Sequence, residues 1–496
     1  MDWRTFRPQR RGKAAVLALL SVALLCFLAA MLAWLGGGFG TSINKSPLVI
    51  YCAAGVRPPL EEIAQQYEKE SFGAPVRFQY ASSGDLLVQL ELHPRGDLYI
   101  PAGVDPFITK GREKDLVAEA ISLANFSLVL AVKSGNPKNI ASLDDLFADG
   151  VSFALANENA AVGRKTIKML KRSNNWQRTK DAAKVFKPTV TDIASDVRDG
   201  VKIDAAFIWD STASQYELDI VRLPELQGGE STITAGILKT SPNSAAALRF
   251  ARYAASPEKG QPIFAKHHYE ATTGDPWAVR PKITLYSGGV NRLAIEKTLE
   301  IFQQREGCEI RTIYNGCGVL VGQMKLGESP DAYFACDISF VDQVQENFFS
   351  PVNISRTDMV LLVQKGNPNG IISIKDLSRD GLRVGLADEE LSALGFLSKR
   401  LLQGAAVYDD VVRNRRATTP TADLLVTQLT NSDKLDAAIV YRANCTNIGD
   451  KAEIIEIDHP SAIAVQPFAV HANSLYPQLT TRLLGAISSA TSQQRF

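Results

Sequence analysis

Val49-Ile50-Tyr51-Cys52-Ala53-Ala54-Gly55-Val56-Arg57 decides the reading of this chain, because it returns in outline as Thr284-Leu285-Tyr286-Ser287-Gly288-Gly289-Val290-Asn291-Arg292. Other landmarks return in the same order. Tyr80-Ala81-Ser82-Ser83-Gly84 is matched by Tyr314-Asn315-Gly316-Cys317-Gly318, and Gly135-Asn136-Pro137 by Gly366-Asn367-Pro368. Asp204-Ala205-Ala206-Phe207-Ile208-Trp209 is matched by Asp436-Ala437-Ala438-Ile439-Val440-Tyr441. The offsets are 286−51 = 235, 314−80 = 234, 366−135 = 231 and 436−204 = 232. Near-constant spacing over four ordered landmarks means a duplicated domain, with a period far above the roughly 20–50 residues of a solenoid.

Each copy opens on a short apolar run, Pro47 to Tyr51 or Ile283 to Tyr286, followed by small residues and a helical pattern. Leu60, Ile63, Ala64 and Tyr67 fall at the i, i+3, i+4, i+7 spacing of a buried helix face, and Ile295, Leu299 and Phe302 mark the same face in the second copy. Pro58-Pro59 suit a first helical turn. A second strand, a second small-residue turn and a further helix follow. Strand–turn–helix units in succession predict a parallel sheet covered by helices. The domains are read as 47–275 and 282–496, joined by Asp275-Pro276-Trp277-Ala278-Val279-Arg280-Pro281, a short and fairly stiff linker with two prolines.

The N-terminus differs in kind. Arg4, Arg7, Arg10, Arg11 and Lys13 precede Ala14 to Leu35, an uncharged apolar run of 22 residues. That length spans a hydrocarbon core as a helix, and the basic flank predicts that residues 1–13 stay cytoplasmic. Residues 14–35 are therefore expected to be a single transmembrane anchor, with the rest of the chain outside the cytoplasm in the periplasm. A cleaved signal peptide is the competing reading, but the run is long for one and Gly36-Gly37-Gly38-Phe39-Gly40 is a poor cleavage site. An oxidising compartment permits disulfides. Cys308, Cys317, Cys336 and Cys445 all sit in the second copy and allow three pairings; Cys317 and Cys336, at predicted strand ends facing one cleft, are favoured.

With a net charge of +1, the chain offers no phosphate-neutralising stripe, so nucleic acid is not expected as a partner. There is no C-x-x-C or H-x-x-x-H spacing to argue for a metal, no cofactor motif, and no phosphate loop or nucleophile elbow. An enzyme is not expected.

What remains is the pair of small-residue turns. Cys52-Ala53-Ala54-Gly55 and Ser82-Ser83-Gly84 each leave a strand and open a helix, whose first-turn N–H groups have no intrahelical partner. Two such termini aimed at one crevice bind an anion, and the crevice lies beyond the carboxyl ends of the strands. Small residues also simply permit tight turns, and one turn alone favours that plainer reading. The recurrence of both turns brings the two readings level.

This order of motifs resembles the periplasmic molybdate-binding proteins of ABC importers, which have the type II solute-binding fold. The resemblance rests on Tyr51 to Gly55, Leu60 to Tyr67, Phe78 to Gly84, Asp97-Leu98-Tyr99-Ile100-Pro101-Ala102 and Ala205 to Trp209, and returns more weakly over 282–490. It implies an α/β fold of two tandem type II domains, each of two lobes with a central, mostly parallel sheet. It also implies capture of molybdate, tungstate or a similar oxyanion by two serines, backbone N–H groups and a tyrosine, for delivery to an ABC permease. By position, the two serines fall on Gly55 and Ser83, the backbone donors near Val162 and Ile193, and the tyrosine on Trp209. Ala54 and Ser82 complete the two turns. In the second copy the same places hold Val290, Cys317, Leu394, Leu425 and Tyr441, with Gly289 and Gly316 in the turns. Neither copy keeps the full set of hydroxyls. Arg57 and Arg292 each stand two residues past the first-turn position and are read either as charge-assisted substitutes for the lost donors or as solvated helix-start residues. The alternatives to an oxyanion receptor are a tandem sensor or scaffold with degenerate clefts, and a receptor for another small anion or an organic carboxylate.

Overall fold

The structure is a computed structural model that describes residues 46–70, 75–103, 106–199 and 203–496. The expected anchor at 14–35 and the basic segment before it lie outside the described residues. Among the described residues, no helix is long and apolar enough to cross a membrane.

The strands of the first copy are β1 (Leu48–Ala53), β2 (Val76–Ala81), β3 (Leu98–Ile100), β4 (Val117–Val132), β5 (Phe153–Ala156), β6 (Val185–Lys187), β7 (Ala205–Trp209), β8 (Asp219–Val221), β9 (Glu230–Leu238) and β10 (Glu270–Ala271). Those of the second are β11 (Lys282–Gly288), β12 (Glu309–Asn315), β13 (Ala332–Phe334), β14 (Val352–Gln364), β15 (Val384–Ala387), β16 (Arg415–Thr419), β17 (Ala437–Tyr441), β18 (Ala452–Glu456) and β19 (Ile463–Val470). The order β2-β1-β3-β9-β4-β7-β5-β6 in the first copy becomes β12-β11-β13-β19-β14-β17-β15-β16 in the second. Adding ten to every strand converts one into the other, so the sequence duplication is a duplication of topology.

β1, which leads into the first small-residue turn, is buried at all but one residue, as an apolar run without alternation requires, whereas β2, which leads into the second, is half-buried or exposed throughout. β7 and β17 are buried at every residue. The helix Arg57–Lys69 buries Leu60, Ile63, Ala64 and Tyr67, the face its periodicity marked. Ile295, Leu299 and Phe302 are buried on the helix Arg292–Glu306.

β4 divides each copy into lobes. Its residues 117–127 pair with β9, and Leu128 to Val132 pair with β7. β14 repeats the arrangement with β19 and then β17. One continuous strand thus belongs to both lobes, which makes its midpoint a hinge. The expectation of a mostly parallel sheet holds at the lobe ends, where β1 runs parallel to β2 and β3, and β5 to β6 and β7. At the junction β9 is antiparallel to both β3 and β4, because it re-enters the first lobe after the chain has built the second.

The two copies share a polar seam. Glu306 is 1% exposed and receives Arg252 Nη1 at 3.1 Å, Arg482 Nε at 2.6 Å and Arg482 Nη2 at 3.1 Å. Arg305 of the second copy donates Nη2 to Glu119 of β4 at 2.8 Å. The linker is tied at both sides: Asp275 accepts the N–H groups of Gln478 and Leu479 at 2.9 and 2.8 Å, and Trp277 packs edge-on against Tyr253.

Candidate functional site

The first cleft lies where the two lobes of residues 47–275 meet, and helix N-termini approach it from both sides. Ser82 caps the helix Ser83–Leu92, accepting the Asp85 N–H at 3.2 Å and donating its hydroxyl to the Asp85 carboxylate at 2.6 Å. Its hydroxyl is therefore committed to the cap. Ser83 is free of that duty. Buried to 2% exposure, it accepts the Ala102 N–H at 3.1 Å, and no acceptor for its own proton is present among the described residues. Tyr99 donates to the Ser83 carbonyl at 2.6 Å and fixes the turn from behind.

The opposite lobe contributes the helix Ala161–Arg172. Its first ladder bond runs from Arg164 N to Ala160 O, which leaves the N–H groups of Ala161, Val162 and Gly163 ahead of the ladder. Val162 lines the cavity, as do Thr189 and Val190 at the start of the helix Val190–Asp199. Ile193, carried over as a donor, sits one turn further in, buried in the core and not at the cavity. An N–H at the fourth helical position points back along the axis to its own ladder, and the N–H groups ahead of the ladder lie at the start of the helix. Trp209 closes the end of β7, its ring 4.1 Å from that of Phe126, and forms a wall of the cavity. Ala54 and Gly55 line it too. At Gly55 a side chain has no room: a Cβ would stand 2.8 Å from Val190 Cγ1. The space a first-turn serine would need is filled by valine from the other lobe.

Arg57 is not in the cleft. Its side chain is 58% exposed, paired with Glu61 at 2.9 Å and lying 5.0 Å from the Tyr80 ring. Arg292 makes the same arrangement with Glu296 and Tyr314, at 2.6 and 5.3 Å. The recurrence that suggested a ligand role is a recurrence of an i, i+4 ion pair on the outer helix face.

The lobes are shut. The first cavity is about 20 Å³ and the second about 10 Å³, near the roughly 10–15 Å³ that admits one water. Gly84 N–H donates across the first cleft to Asn159 O at 2.9 Å, and Asn159 Nδ2 to Asp85 at 3.1 Å. Gly318 N–H repeats the bridge to Leu391 O at 3.0 Å.

Outside the first cavity, and sharing Ala102 and Ala161 with it, is a second space of about 380 Å³ flanked by Arg164, Lys165 and Lys168. These cations were passed over in the sequence, although the register between copies exposes them. At the 232-residue offset they face Phe396, Leu397 and Arg400 of the helix Ala393–Gly404. Two of the three positive charges belong to the first copy alone.

The second cleft is chemically different. Cys317 takes the place of Ser83 and makes the equivalent bond, its Sγ accepting the Cys336 N–H at 3.1 Å. Both thiols are buried and free, so the favoured disulfide is not formed in the structure, though the two residues meet. Gly289, Val290, Gly316 and Tyr441 line the cavity; Leu394 and Leu425 are core residues away from it. Asp423 also lines it, where the first copy has Thr191, and burial raises its carboxyl pKa. The buried Tyr441 hydroxyl has no hydrogen-bond partner among the described residues. A carboxylate at the cleft disfavours a bound dianion. Among the described residues, no cluster of three or more His, Cys, Asp or Glu side chains could hold a metal ion.

Two lobes hinged on shared strands and closing on a small cleft define a solute-binding domain, here present twice. The model of the bacterial extracellular solute-binding protein family matches residues 48–270 and again 283–496, and the chain belongs to that family as a tandem duplication. Similar proteins each align with about half of it. A Haemophilus influenzae protein described no further than as binding is 27% identical over 202 residues, covering 40% of this chain and 81% of that one. The molybdate-binding protein ModA of Mycobacterium tuberculosis is 24% identical over 219 residues, covering 42% and 80%. The solved periplasmic molybdate-binding protein of Azotobacter vinelandii is 17% identical with a TM-score of 0.39, covering 46% and 100%.

Proposed function

We propose that the first copy captures a small oxyanion of the molybdate or tungstate type and delivers it to an ABC permease, while the chain is held at the membrane by residues 14–35. The observation that carries the reading is the make-up of the first cleft. It joins the Ser83 hydroxyl, whose proton is uncommitted, to the first-turn N–H groups of the opposed helix Ala161–Arg172, behind a mouth of three cations. Backbone donors and a hydroxyl select an anion that accepts hydrogen bonds from all sides. The basic mouth raises the local anion concentration without having to touch the ligand. The similarity to molybdate-binding proteins supports the choice of ion. An organic carboxylate is the alternative that Trp209 admits.

Calorimetry with molybdate, tungstate, sulfate and phosphate tests this on the full-length chain. One saturable site for molybdate and tungstate is expected, and Ser83→Ala weakens it roughly tenfold, the worth of one hydrogen bond to a charged group. Absence of heat with every oxyanion would remove the transport reading. Alkaline carbonate extraction tests the tether separately: the chain is expected to stay with the membrane pellet, and release into the supernatant excludes an uncleaved anchor.

For the second copy, the thiols and Asp423 favour a scaffold or sensor over a second oxyanion receptor. Burial opposes ionisation of Cys317, but hydrogen bonds from Cys336 outweigh it and bring its pKa down, while Cys336 is raised. The two thiols meet at the Cys336 N–H to Cys317 Sγ bond, so one can attack a small-molecule disulfide and the other displace the mixed partner, the two electrons and two protons leaving with the reduced small molecule. Of the chain's six cysteines, an alkylating reagent should label six after reduction and 6−2 = 4 after oxidation, under denaturing conditions. Six labels in both states would refute the pairing.

A further inference from the structure

We propose that the cavity between the two copies is a binding site for a small organic polyanion carrying carboxylate or phosphate groups. It is distinct from either lobe cleft. The cavity is about 560 Å³, within the range of roughly 300–1,000 Å³ that holds small organic ligands. Its walls come from both copies, β4 and the Asp275 end of the linker on one side and the helix Pro477–Ile487 on the other.

The charge balance of the walls is what calls for an anion. Arg112, Arg252 and Arg482 all line the cavity. Arg252 is 7% exposed, commits Nη1 to Glu306, and has no hydrogen-bond partner for Nε or Nη2 among the described residues. Arg482 shares the same carboxylate, so one acid serves two buried guanidiniums. The other acids of the walls, Glu119 and Asp275, also act through charge on Arg482, so that with Arg305 four cations (Arg112, Arg252, Arg305, Arg482) face three acids (Glu119, Asp275, Glu306). Glu119 holds Arg305, and Asp275 holds the two N–H groups at the helix start. Arg112 stands exposed at the rim and makes no ion pair among the described residues. It presents a free planar fork of the kind that takes carboxylate or phosphate. The partnerless nitrogens of Arg252 are closed to solvent. They act on an occupant through charge, and the rim arginine through contact. A single inorganic oxyanion would leave most of this volume empty, which is why the site fits an organic molecule with more than one anionic group.

The position gives the site a consequence. Residues 118–122 of β4 line the cavity, and the same strand continues into the hinge of the first copy. An occupant braces the two copies against each other at the root of that hinge.

Calorimetry on the full-length chain, with citrate as the carboxylate probe and a sugar bisphosphate as the phosphate probe, tests the proposal. At least one probe is expected to bind saturably at millimolar concentration or below, with one site per chain. Two variants act on the cavity by independent routes. Arg112→Ala removes the rim fork, and Gly485→Trp fills the space from a helix position that lines the cavity and where an added Cβ meets nothing within 4 Å. Each should weaken binding at least tenfold with circular dichroism unchanged, and Ser83→Ala should leave it unchanged. No binding by either probe, binding that survives both cavity variants, or binding abolished by Ser83→Ala alone overturns the proposal. Failure of the oxyanion titration would leave this result standing, because the two sites share no residue.

Discussion

Glu306→Ala should lower the stability of the chain by about 3–5 kcal/mol, the cost of leaving buried charge without its partner. The residue is 1% exposed and lies between Arg252 and Arg482, so truncation strands two guanidiniums. Both copies contribute to this contact, and the loss should also uncouple them. Urea unfolding of the variant should divide into two transitions at lower denaturant, where the parent unfolds with more overlap. Burial by itself pushes the Glu306 carboxyl upward, but the charges and hydrogen bonds of Arg482 and Arg252 outweigh it and hold the pKa below the ordinary glutamate value. A depressed folded pKa means that the stabilisation is fully present above the unfolded value of about 4.3 and is lost as pH falls through the folded one. The gap between parent and variant should therefore close on acidification. A change of less than about 1 kcal/mol at neutral pH, or a gap independent of pH down to acid unfolding, would show that the seam is incidental.

The same seam marks the limit of what the chain discloses in one dimension. Arg252, Glu306 and Arg482 belong to different copies and are separated by 54 and 176 residues, so no local pattern ties them together. The duplication was legible because a repeated topology needs repeated turns, and turns depend on a few small residues that survive divergence. The place of Ser83 at the first turn of the helix after β2, beside the first cavity, was legible for the same reason. Arg57 stayed open between cleft and solvent because its spacing from the turn is visible and its direction is not. One residue of rotation at a helix start decides between cleft and solvent, and Glu61 four residues on was the clue to solvent. Ile193 was misplaced by one turn, since the start of its helix depends on Thr189 capping Asp192, a short polar contact that hydrophobic periodicity does not mark. The cations at the first mouth could have been found by aligning the copies and reading differences in place of identities.

Differences between equivalent glycines lead to the second large effect. Gly84→Ala should weaken oxyanion binding by roughly tenfold to a hundredfold, the worth of one charge-assisted hydrogen bond or a little more. The Gly84 N–H bridges the closed lobes to Asn159 O, and a Cβ at this position would lie 2.6 Å from that oxygen. Backbone stands on both sides of the clash, so the lobes have to part for it to be relieved. Parting them carries Val162 and Val190 away from the ligand while leaving Ser83 in place. The variant therefore separates closure from first-lobe contact. Within its own helix the change is mildly favourable, since alanine is the better helix former by about 1 kcal/mol. A loss of affinity without a loss of stability is thus the expected signature, with small-angle scattering showing a more open first copy. A ligand shifts the lobes only by its differential affinity for the closed form, so a variant that cannot close exposes how much of the affinity closure supplies. Gly318→Ala is the internal control. Its Cβ would meet Glu390 O at 1.8 Å and force the second cleft apart, yet with Asp423 and two thiols there, oxyanion affinity should not move. If Gly84→Ala binds within twofold of the parent, closure is not part of recognition. If Gly318→Ala is the variant that loses binding, the receptor role belongs to the second copy.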